Sequence, residues 1–172
     1  MIRKKNLYLK PKKSFESARI REENVLLSSY ALKNKREIWK TLAKVNYLKR
    51  RAKALAKSSP EEQQVLFNKL NALGLKANLI TDVLDLKVED LLNRRLPTVV
   101  TKKKITTTVK QARQLITHKK ILINGRVVNT PSYLVSLAEE DKIAIKEKKK
   151  KPKPKEETEQ SEPQSKNIEV AQ

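Results

Sequence analysis

The residues of this sequence whose types and spacing suggest chemistry are the cations between Thr108 and Val135, where the chain reads TVKQARQLITHKKILINGRVVNTPSYLV. This pattern predicts a short basic helix, then a strand, an Asn-Gly turn and a second strand. The helix has one apolar and one cationic face, and the hairpin carries further cations. A rigid patch of positive charge of this kind suits a curved polyanion, and RNA is the polyanion we expect.

A second set of cations lies on a long helix predicted over Ala31–Lys57, which has neither glycine nor proline. One face is aliphatic: Ile38, Leu42, Val45, Leu48, Ala52 and Leu55. The other is cationic: Arg36, Lys40, Lys44, Arg50 and Arg51. Trp39 and Tyr47 fall on the cationic face, where aromatic rings can stack on bases or riboses. The alternative is that both rings cover a neighbouring helix or support Arg36 by cation–π contact.

The sequence contains no constellation that predicts catalysis. Cysteine is absent, which excludes disulfides, thiolate zinc sites and cysteine nucleophiles. The single histidine, His118, is interpreted as a cation at a helix C-terminus, with direct RNA contact as the alternative. The carboxylate pairs Glu22-Glu23, Glu61-Glu62 and Glu139-Glu140 are interpreted as solvated charge, because acid–base catalysis needs a dry pocket and a tuned pKa. We therefore predict a binding protein that is not an enzyme, with no metal, cofactor or small-molecule substrate.

The composition points to an anionic partner. Lysine and arginine number 40 against 19 acidic residues, which gives a formal net charge of +21 and a pI of about 10.1. Such an excess repels itself in a compact chain unless a partner supplies phosphates. No run of about 18 apolar residues exists, and no apolar signal core follows the basic N-terminus, so we expect a soluble, unexported chain without membrane contact. Gly74 and Gly125 both fall at predicted turns, which leaves no glycine-rich phosphate loop.

Several further elements are predicted before the basic hairpin unit. Ser14–Glu23 suggests a short helix. A capped helix opens at Ser59-Pro60 and ends at Gly74, with a packing face made by Val65, Leu66, Leu70 and Leu73. Val88–Leu96 predicts a helix that Pro97 stops, so that residues 98–107 become a basic connector.

The hairpin unit is predicted in more detail. Thr108 and Gln111 form a capping box for a helix whose inward face is Val109, Ala112, Leu115 and Ile116. Asn124-Gly125 is the hairpin turn, and Lys142–Lys146 predicts a third strand. The fold class is therefore α+β: a mostly helical N-terminal region plus a small RNA-binding domain of two helices packed on a short antiparallel sheet, with a disordered tail that is first basic and then acidic.

The predicted domain organisation has four parts. Residues 1–21 form a basic extended arm, and residues 22–87 a helical region that binds ribosomal RNA. Residues 88–146 form the small RNA-binding domain. Residues 147–172 form a low-complexity tail with too few apolar residues to offset the entropy of ordering.

Three segments carry a resemblance to a known family: YALKNKREIW at Tyr30–Trp39, VEDLLNRRL at Val88–Leu96, and the stretch Lys110–Val135. In this order they resemble the ribosomal small-subunit protein four family, whose RNA-binding domain also occurs in other RNA-handling proteins. The resemblance covers roughly residues 10–146. The KNKREIW and PSYLV motifs look like the archaeal and eukaryotic branch, and the compact length with THKKILINGR favours the archaeal one.

The resemblance implies a structural component of the small ribosomal subunit in the cytoplasm. Members of the family are primary binders of small-subunit ribosomal RNA that fold a multi-helix junction early in assembly of the subunit body. The resemblance also implies small-subunit proteins three and five as neighbours, a position near the channel through which mRNA enters, and an effect on translational accuracy.

We expect RNA contacts from both regions of the chain. The candidates in the helical region are Lys33, Lys35, Arg36, Trp39, Lys40, Tyr47, Arg50 and Arg51. The candidates in the small domain are Arg94, Arg95, Lys103, Lys110, Arg113, Gln114, His118, Lys119, Lys120 and Arg126. Most should meet phosphate and 2′-OH groups, because folded RNA offers shape more than readable base edges. An internal ion pair is the alternative for Arg95, which sits near an apolar stripe.

The sequence departs from similar sequences at three positions. Lys119 and Ala31 stand where glycine is frequent, and Lys87 stands where a threonine cap is usual. We expect the loss of a glycine beyond a helix end, or of a capping hydroxyl, to affect local geometry more than function.

Three alternative functions remain open. A free-standing RNA chaperone with the same small domain would not need the long N-terminal helices. A pseudouridine synthase or tRNA synthetase would need a catalytic domain for which this chain has no room. A nonspecific DNA-compacting protein would share the net charge.

Overall fold

The computed structural model describes residues 7–146 of the chain, so the basic-then-acidic tail predicted over residues 147–172 and the first six residues of the predicted arm lie outside it. Its elements in chain order are α1 (Ser17–Ser29), α2 (Lys35–Leu55), α3 (Pro60–Ala72), α4 (Ile80–Asp85), α5 (Val88–Asn93), α6 (Leu96–Lys102), α7 (Val109–Thr117), β1 (Ile121–Ile123), β2 (Arg126–Val127), α8 (Leu137–Glu140) and β3 (Ile143–Ile145). A mostly helical region thus precedes a small sheet, with the short α8 between β2 and β3, and the predicted α+β class is confirmed.

The first hydrophobic core is built on α2. Val45, Leu48 and Ala52 of this helix pack with buried residues of the helices that follow: Leu66, Leu70, Val83 and Leu91. The long helix predicted from its aliphatic stripe is therefore confirmed, although it begins at Lys35. The buried stripe of α2 is narrower than predicted, because Leu42 is 43% exposed. The packing face predicted for α3 is also narrower, because Val65 is 63% exposed. Val65 precedes the buried Leu66 by one residue, which turns it about 100° away from the core.

The second hydrophobic core joins α6 and α7 to the sheet. Its buried members include Leu96, Val99, Ile116 and Ile121. β1 is the central strand, paired antiparallel with β2 on one side and with β3 on the other. Asn124 and Gly125 both have positive φ, at 51° and 75°, so the predicted hairpin turn is confirmed. The predicted third strand is confirmed as β3.

The segment around Pro97 differs from the prediction. The helix expected over Val88–Leu96 ends at Asn93, and α6 begins at Leu96 with Pro97 in its first turn. Proline is tolerated there because the N–H groups of a first turn have no intrahelical acceptor. The predicted connector over residues 98–107 is therefore wrong in its first half, and α6 is the first helix of the second core.

Four helices end in the same way, with the residue after the C-cap in the left-handed region. These residues are Ala31, Gly74, Lys104 and Lys119, with φ of 48°, 76°, 57° and 58°. After α7, Lys119 N donates to Ile116 O at 2.9 Å and Lys120 N donates to Leu115 O at 2.9 Å, the two hydrogen bonds of a Schellman motif. Three of the four exits keep this geometry without glycine, at a cost of about 1 kcal/mol for each such residue.

The N-termini of two helices bear on other predictions. Thr108 Oγ1 accepts a hydrogen bond from Gln111 N at 3.2 Å, as the predicted cap requires, whereas the Gln111 side chain accepts from Thr107 and not from Thr108. Lys87 supplies no side-chain cap to α5. Instead Lys87 N donates to Asp90 Oδ2 at 2.8 Å. Of the two reciprocal hydrogen bonds of a capping box, α5 therefore has only the one that its third residue accepts from the N-cap backbone.

Candidate nucleic-acid interface

The two cores are joined by one acid and two arginines, here called the clamp: Glu37, Arg95 and Arg113. Glu37 lies in the first turn of α2, Arg95 is the N-cap of α6, and Arg113 lies on α7. Arg95 Nη2 donates to Glu37 Oε2 at 2.7 Å, and Arg113 Nη2 donates to Glu37 Oε1 at 2.7 Å. Arg113 Nη1 also donates to Ala31 O at 3.1 Å. The clamp therefore fixes α2 to the small domain.

The environment of Glu37 keeps it ionised. Burial by itself would raise its pKa, but the hydrogen bonds from Arg113 and Arg95 outweigh burial and lower the pKa to about 2. Arg95 is only 5% exposed, so the internal ion pair considered for it is what the structure contains. Arg113 is one of the residues predicted to contact RNA, yet its guanidinium group turns back to Glu37 and is half-buried.

Two further candidates make internal ion pairs. Arg94 Nη1 donates to Glu140 Oε2 at 2.9 Å, and Arg94 Nη2 donates to Val135 O at 3.0 Å. Glu140 is therefore not the freely solvated charge that was predicted. Lys103 Nζ lies 3.1 Å from Asp141 Oδ1, but this aspartate is 94% exposed, and a pair so open to water contributes little.

Another acid, the buried Glu23, fixes α1 to α2. Trp39 Nε1 donates to Glu23 Oε1 at 2.9 Å, Arg19 Nη1 donates to the same oxygen at 2.8 Å, and Lys35 Nζ lies 3.2 Å from Oε2. Burial works to raise the pKa of Glu23, but the hydrogen bonds from Trp39, Arg19 and Lys35 lower it overall. The interpretation of Glu23 as solvated is wrong, because Glu23 is buried among these three partners. For Trp39, packing on a neighbouring helix is what the structure contains.

The remaining candidates are exposed. On and just before α2 they are Lys33, Arg36, Lys40, Tyr47, Arg50 and Arg51, which we call the α2 set. On α7 and the strands after it they are Lys110, Gln114, His118, Lys119, Lys120 and Arg126, which we call the α7 set. Within residues 7–146 no cation of either set forms an ion pair. Their charges are thus available to a polyanion.

Sequence reasoning did not single out two features of this interface. Glu37 was not named, although it is the one acid within KNKREIW, surrounded by cations. Tyr8 was placed in an extended arm, yet its ring lies 6.0 Å from that of Trp39. A lone acid in a basic motif is a signal that can be read from sequence, whereas the contact between Tyr8 and Trp39 has no local signal.

The described part of the chain holds no group of three or more histidine, aspartate or glutamate side chains placed to bind a metal ion. Across those same residues, no helix combines the length and apolar character needed to cross a membrane.

Two helices on a three-stranded antiparallel sheet, with the exposed Lys110 on α7 and further exposed cations just after that helix, define a polyanion-binding module. Residues 94–143 match the S4 domain family. The small ribosomal subunit protein uS4 of Methanothermobacter thermautotrophicus is 39% identical over 96% of this chain and 92% of its own length. The uS4 proteins of Thermoplasma volcanium and Nanoarchaeum equitans are each 41% identical, over 81% and 83% of this chain and 74% and 84% of their own lengths. The chain therefore belongs to the uS4 family of small ribosomal subunit proteins, and the family predicted from its three segments is confirmed.

Proposed function

We propose that this chain is a structural component of the small ribosomal subunit and binds the ribosomal RNA of that subunit. The observation that carries the proposal is its likeness to uS4 proteins, which extends over 96% of the chain and includes both cores. A net charge of +21 supplies the electrostatic attraction that phosphate binding requires.

The exposed α2 set and α7 set contact RNA in this proposal. Lys110 and Gln114 are four residues apart on α7, so they share one face of the helix, and His118, Lys119 and Lys120 continue from its end. Contacts from such a face go chiefly to phosphates and 2′-OH groups.

The internally paired candidates take a different role. Arg95 and Arg113 hold the two sets at a fixed angle through Glu37, and Lys35 and Trp39 fix α1 to α2 through Glu23. Two rigidly connected basic surfaces match a folded RNA better than two independent ones, because less freedom is lost on binding.

The finer role follows from the family resemblance. We propose primary binding to small-subunit ribosomal RNA, early assembly of the subunit body, small-subunit proteins three and five as neighbours, a position near the channel through which mRNA enters, and an influence on decoding accuracy. The setting is the cytoplasm. The role needs no catalytic step.

Co-sedimentation with small subunits tests this function against a free-standing RNA chaperone. The full chain, added to purified small subunits that lack it, should remain bound through a wash of about 0.5 M salt, because its fixed geometry limits the freedom lost on binding and so leaves affinity in reserve when salt weakens the phosphate contacts. A chaperone would wash off.

A competition assay addresses the DNA-compacting alternative. The chain is bound to structured small-subunit ribosomal RNA and challenged with duplex DNA at the same nucleotide concentration. We expect the RNA to be retained, because the groove dimensions and 2′-OH groups of A-form RNA differ from those of B-DNA. Displacement by DNA would contradict the proposed function.

A further inference from the structure

A groove of about 1100 Å³ lies between residues 7–9 and the outer face of α2. Its walls come from Leu7, Tyr8 and Leu9 on one side and from α2 on the other, with Ser132 at one end. None of the described residues that line it is acidic.

The floor of the groove is apolar and aromatic. Leu42 and Tyr47 on α2 are 43% and 54% exposed, and Leu9 on the opposite wall is 90% exposed, so the groove leaves apolar surface uncovered. The rings of Trp39 and Tyr8 lie 6.0 Å apart and are tilted by 37°. Because Glu23 accepts the indole N–H, Trp39 is a fixed wall of the groove.

The rim of the groove is cationic: Lys40, Lys44, Lys49, Arg50 and Lys53. Burial lowers the pKa of Lys44, and repulsion from Lys69 lowers it further. A charge in such surroundings gains from an approaching anion. Lys40, Lys44 and Ser132 also line a cavity of about 300 Å³ beside the clamp, so the basic rim continues towards the small domain.

We propose that this groove binds unpaired nucleotides of RNA, with a base stacked on its aromatic floor and the flanking phosphates on its lysine rim. The inference rests on the proposed function and adds a site for single-stranded RNA to it. An aromatic floor suits any base, since every base has a π-face, and a cationic rim suits the backbone. Charge argues against the chain's own first six residues as occupant, because Arg3, Lys4 and Lys5 would face the same cations.

Trp39 is the single tryptophan of the chain, so its fluorescence reports on the groove. The full chain is titrated with a single-stranded RNA of about eight nucleotides and, separately, with the same sequence as a duplex. We expect the single strand to quench Trp39 and the duplex to leave it nearly unchanged.

Variants at Tyr47 test whether an RNA base stacks on this ring. Tyr47→Ala should weaken single-strand binding about tenfold with an unchanged salt dependence, and Tyr47→Phe should bind as the natural chain does. Phe15→Ala is the matched control, because Phe15 is 95% exposed and lies outside the groove. Lys44→Gln should instead lower the slope of log affinity against log salt by about 0.7.

Equal quenching by duplex and single strand, or equal affinities for Tyr47→Ala and Phe15→Ala, would overturn the inference. So would a gain of single-strand quenching that appears only after residues 1–6 are deleted, because the arm would then be the occupant. Quenching by an acidic apolar peptide but not by RNA would assign the groove to a protein neighbour and overturn it as well. If Tyr47→Ala still co-sediments with small subunits in any of these cases, the groove inference fails and the proposed function stands.

Discussion

Replacing Glu37 by glutamine removes the charge that the clamp is built around while keeping the size of the side chain. In the native chain this carboxylate accepts hydrogen bonds from Arg95 and Arg113, and both arginines lie beside buried surface. The variant leaves two partly buried guanidinium groups without a counter-charge, so we expect it to be substantially less stable.

The magnitude follows from the pKa of Glu37. Its pKa of about 2 lies about 2.5 below the ordinary value of 4.5, and each step of one in pKa is worth about 1.4 kcal/mol, so the ionised carboxylate contributes about 3 kcal/mol at pH 7. Breaking a buried ion pair by removing one partner costs about 3–5 kcal/mol, which agrees. Because the folded pKa is depressed, this stability is fully present above pH 4.5 and is lost as the pH falls towards 2.

The assay is urea unfolding of the full chain and of Glu37→Gln at pH 7 and at pH 3.5, in the same salt. We expect a difference in the free energy of unfolding of about 3 kcal/mol at pH 7, smaller by about 1 kcal/mol or more at pH 3.5. Glu22→Gln is the matched control, since Glu22 is exposed on α1, and it should change stability by less than about 0.5 kcal/mol.

Two results would refute the reasoning. A loss below about 1 kcal/mol at pH 7 would mean that the clamp does not connect the two cores in solution. A loss that is the same at both pH values would mean that glutamine disturbs packing and that the charge of Glu37 is not the cause.

Three further predictions concern the α7 set and the tail. Lys110→Gln should lower the slope of log RNA affinity against log salt by about 0.9 with little change in stability, whereas Arg113→Gln should cost stability and leave the slope nearly unchanged; the reverse pattern would contradict the division between exposed and paired cations. Lys119→Gly should raise the free energy of unfolding by about 0.5–1 kcal/mol because φ is 58° there, as measured by thermal unfolding, while Lys120→Gly, where φ is not positive, should lower it; equal effects would show that Lys119 is unstrained. Removing residues 156–172, which carry five glutamates, should change RNA affinity in a filter-binding assay by less than about twofold, and a large loss would assign the tail an RNA contact.

Short-range patterns predicted the local structure well. Asn124-Gly125 sets a turn in which both residues need positive φ, and Thr108 needs only its own hydroxyl and the N–H of Gln111 three residues on. Gly74 ends α3 through hydrogen bonds inside the same segment. Each of these features depends on a few neighbouring residues, so the sequence pattern contains the whole cause.

The clamp could not be predicted from short-range patterns of this kind. The apolar stripe beside Arg95 suggested an internal ion pair, but nothing near Arg95 or Arg113 in the sequence identifies the partner. That partner is Glu37, 58 and 76 residues away in the chain. Only the folded arrangement of α2 against α6 and α7 brings the three side chains together. The prediction at Pro97 was wrong for a different reason. The same steric rule lets a proline end one helix or stand in the first turn of the next, and the sequence pattern does not distinguish these two positions.

The most direct test of the central claim is a protein–RNA cross-linking map of this chain on purified small subunits. Cross-links to ribosomal RNA should fall on the α2 set, for example at Lys40 and Arg50, and on the α7 set, for example at Lys110 and Lys120, and should be rare at the paired Arg95. Cross-links confined to one set would contradict the two-surface arrangement. An absence of RNA cross-links from both sets, with the chain still bound to the subunit, would contradict its role as a binder of ribosomal RNA.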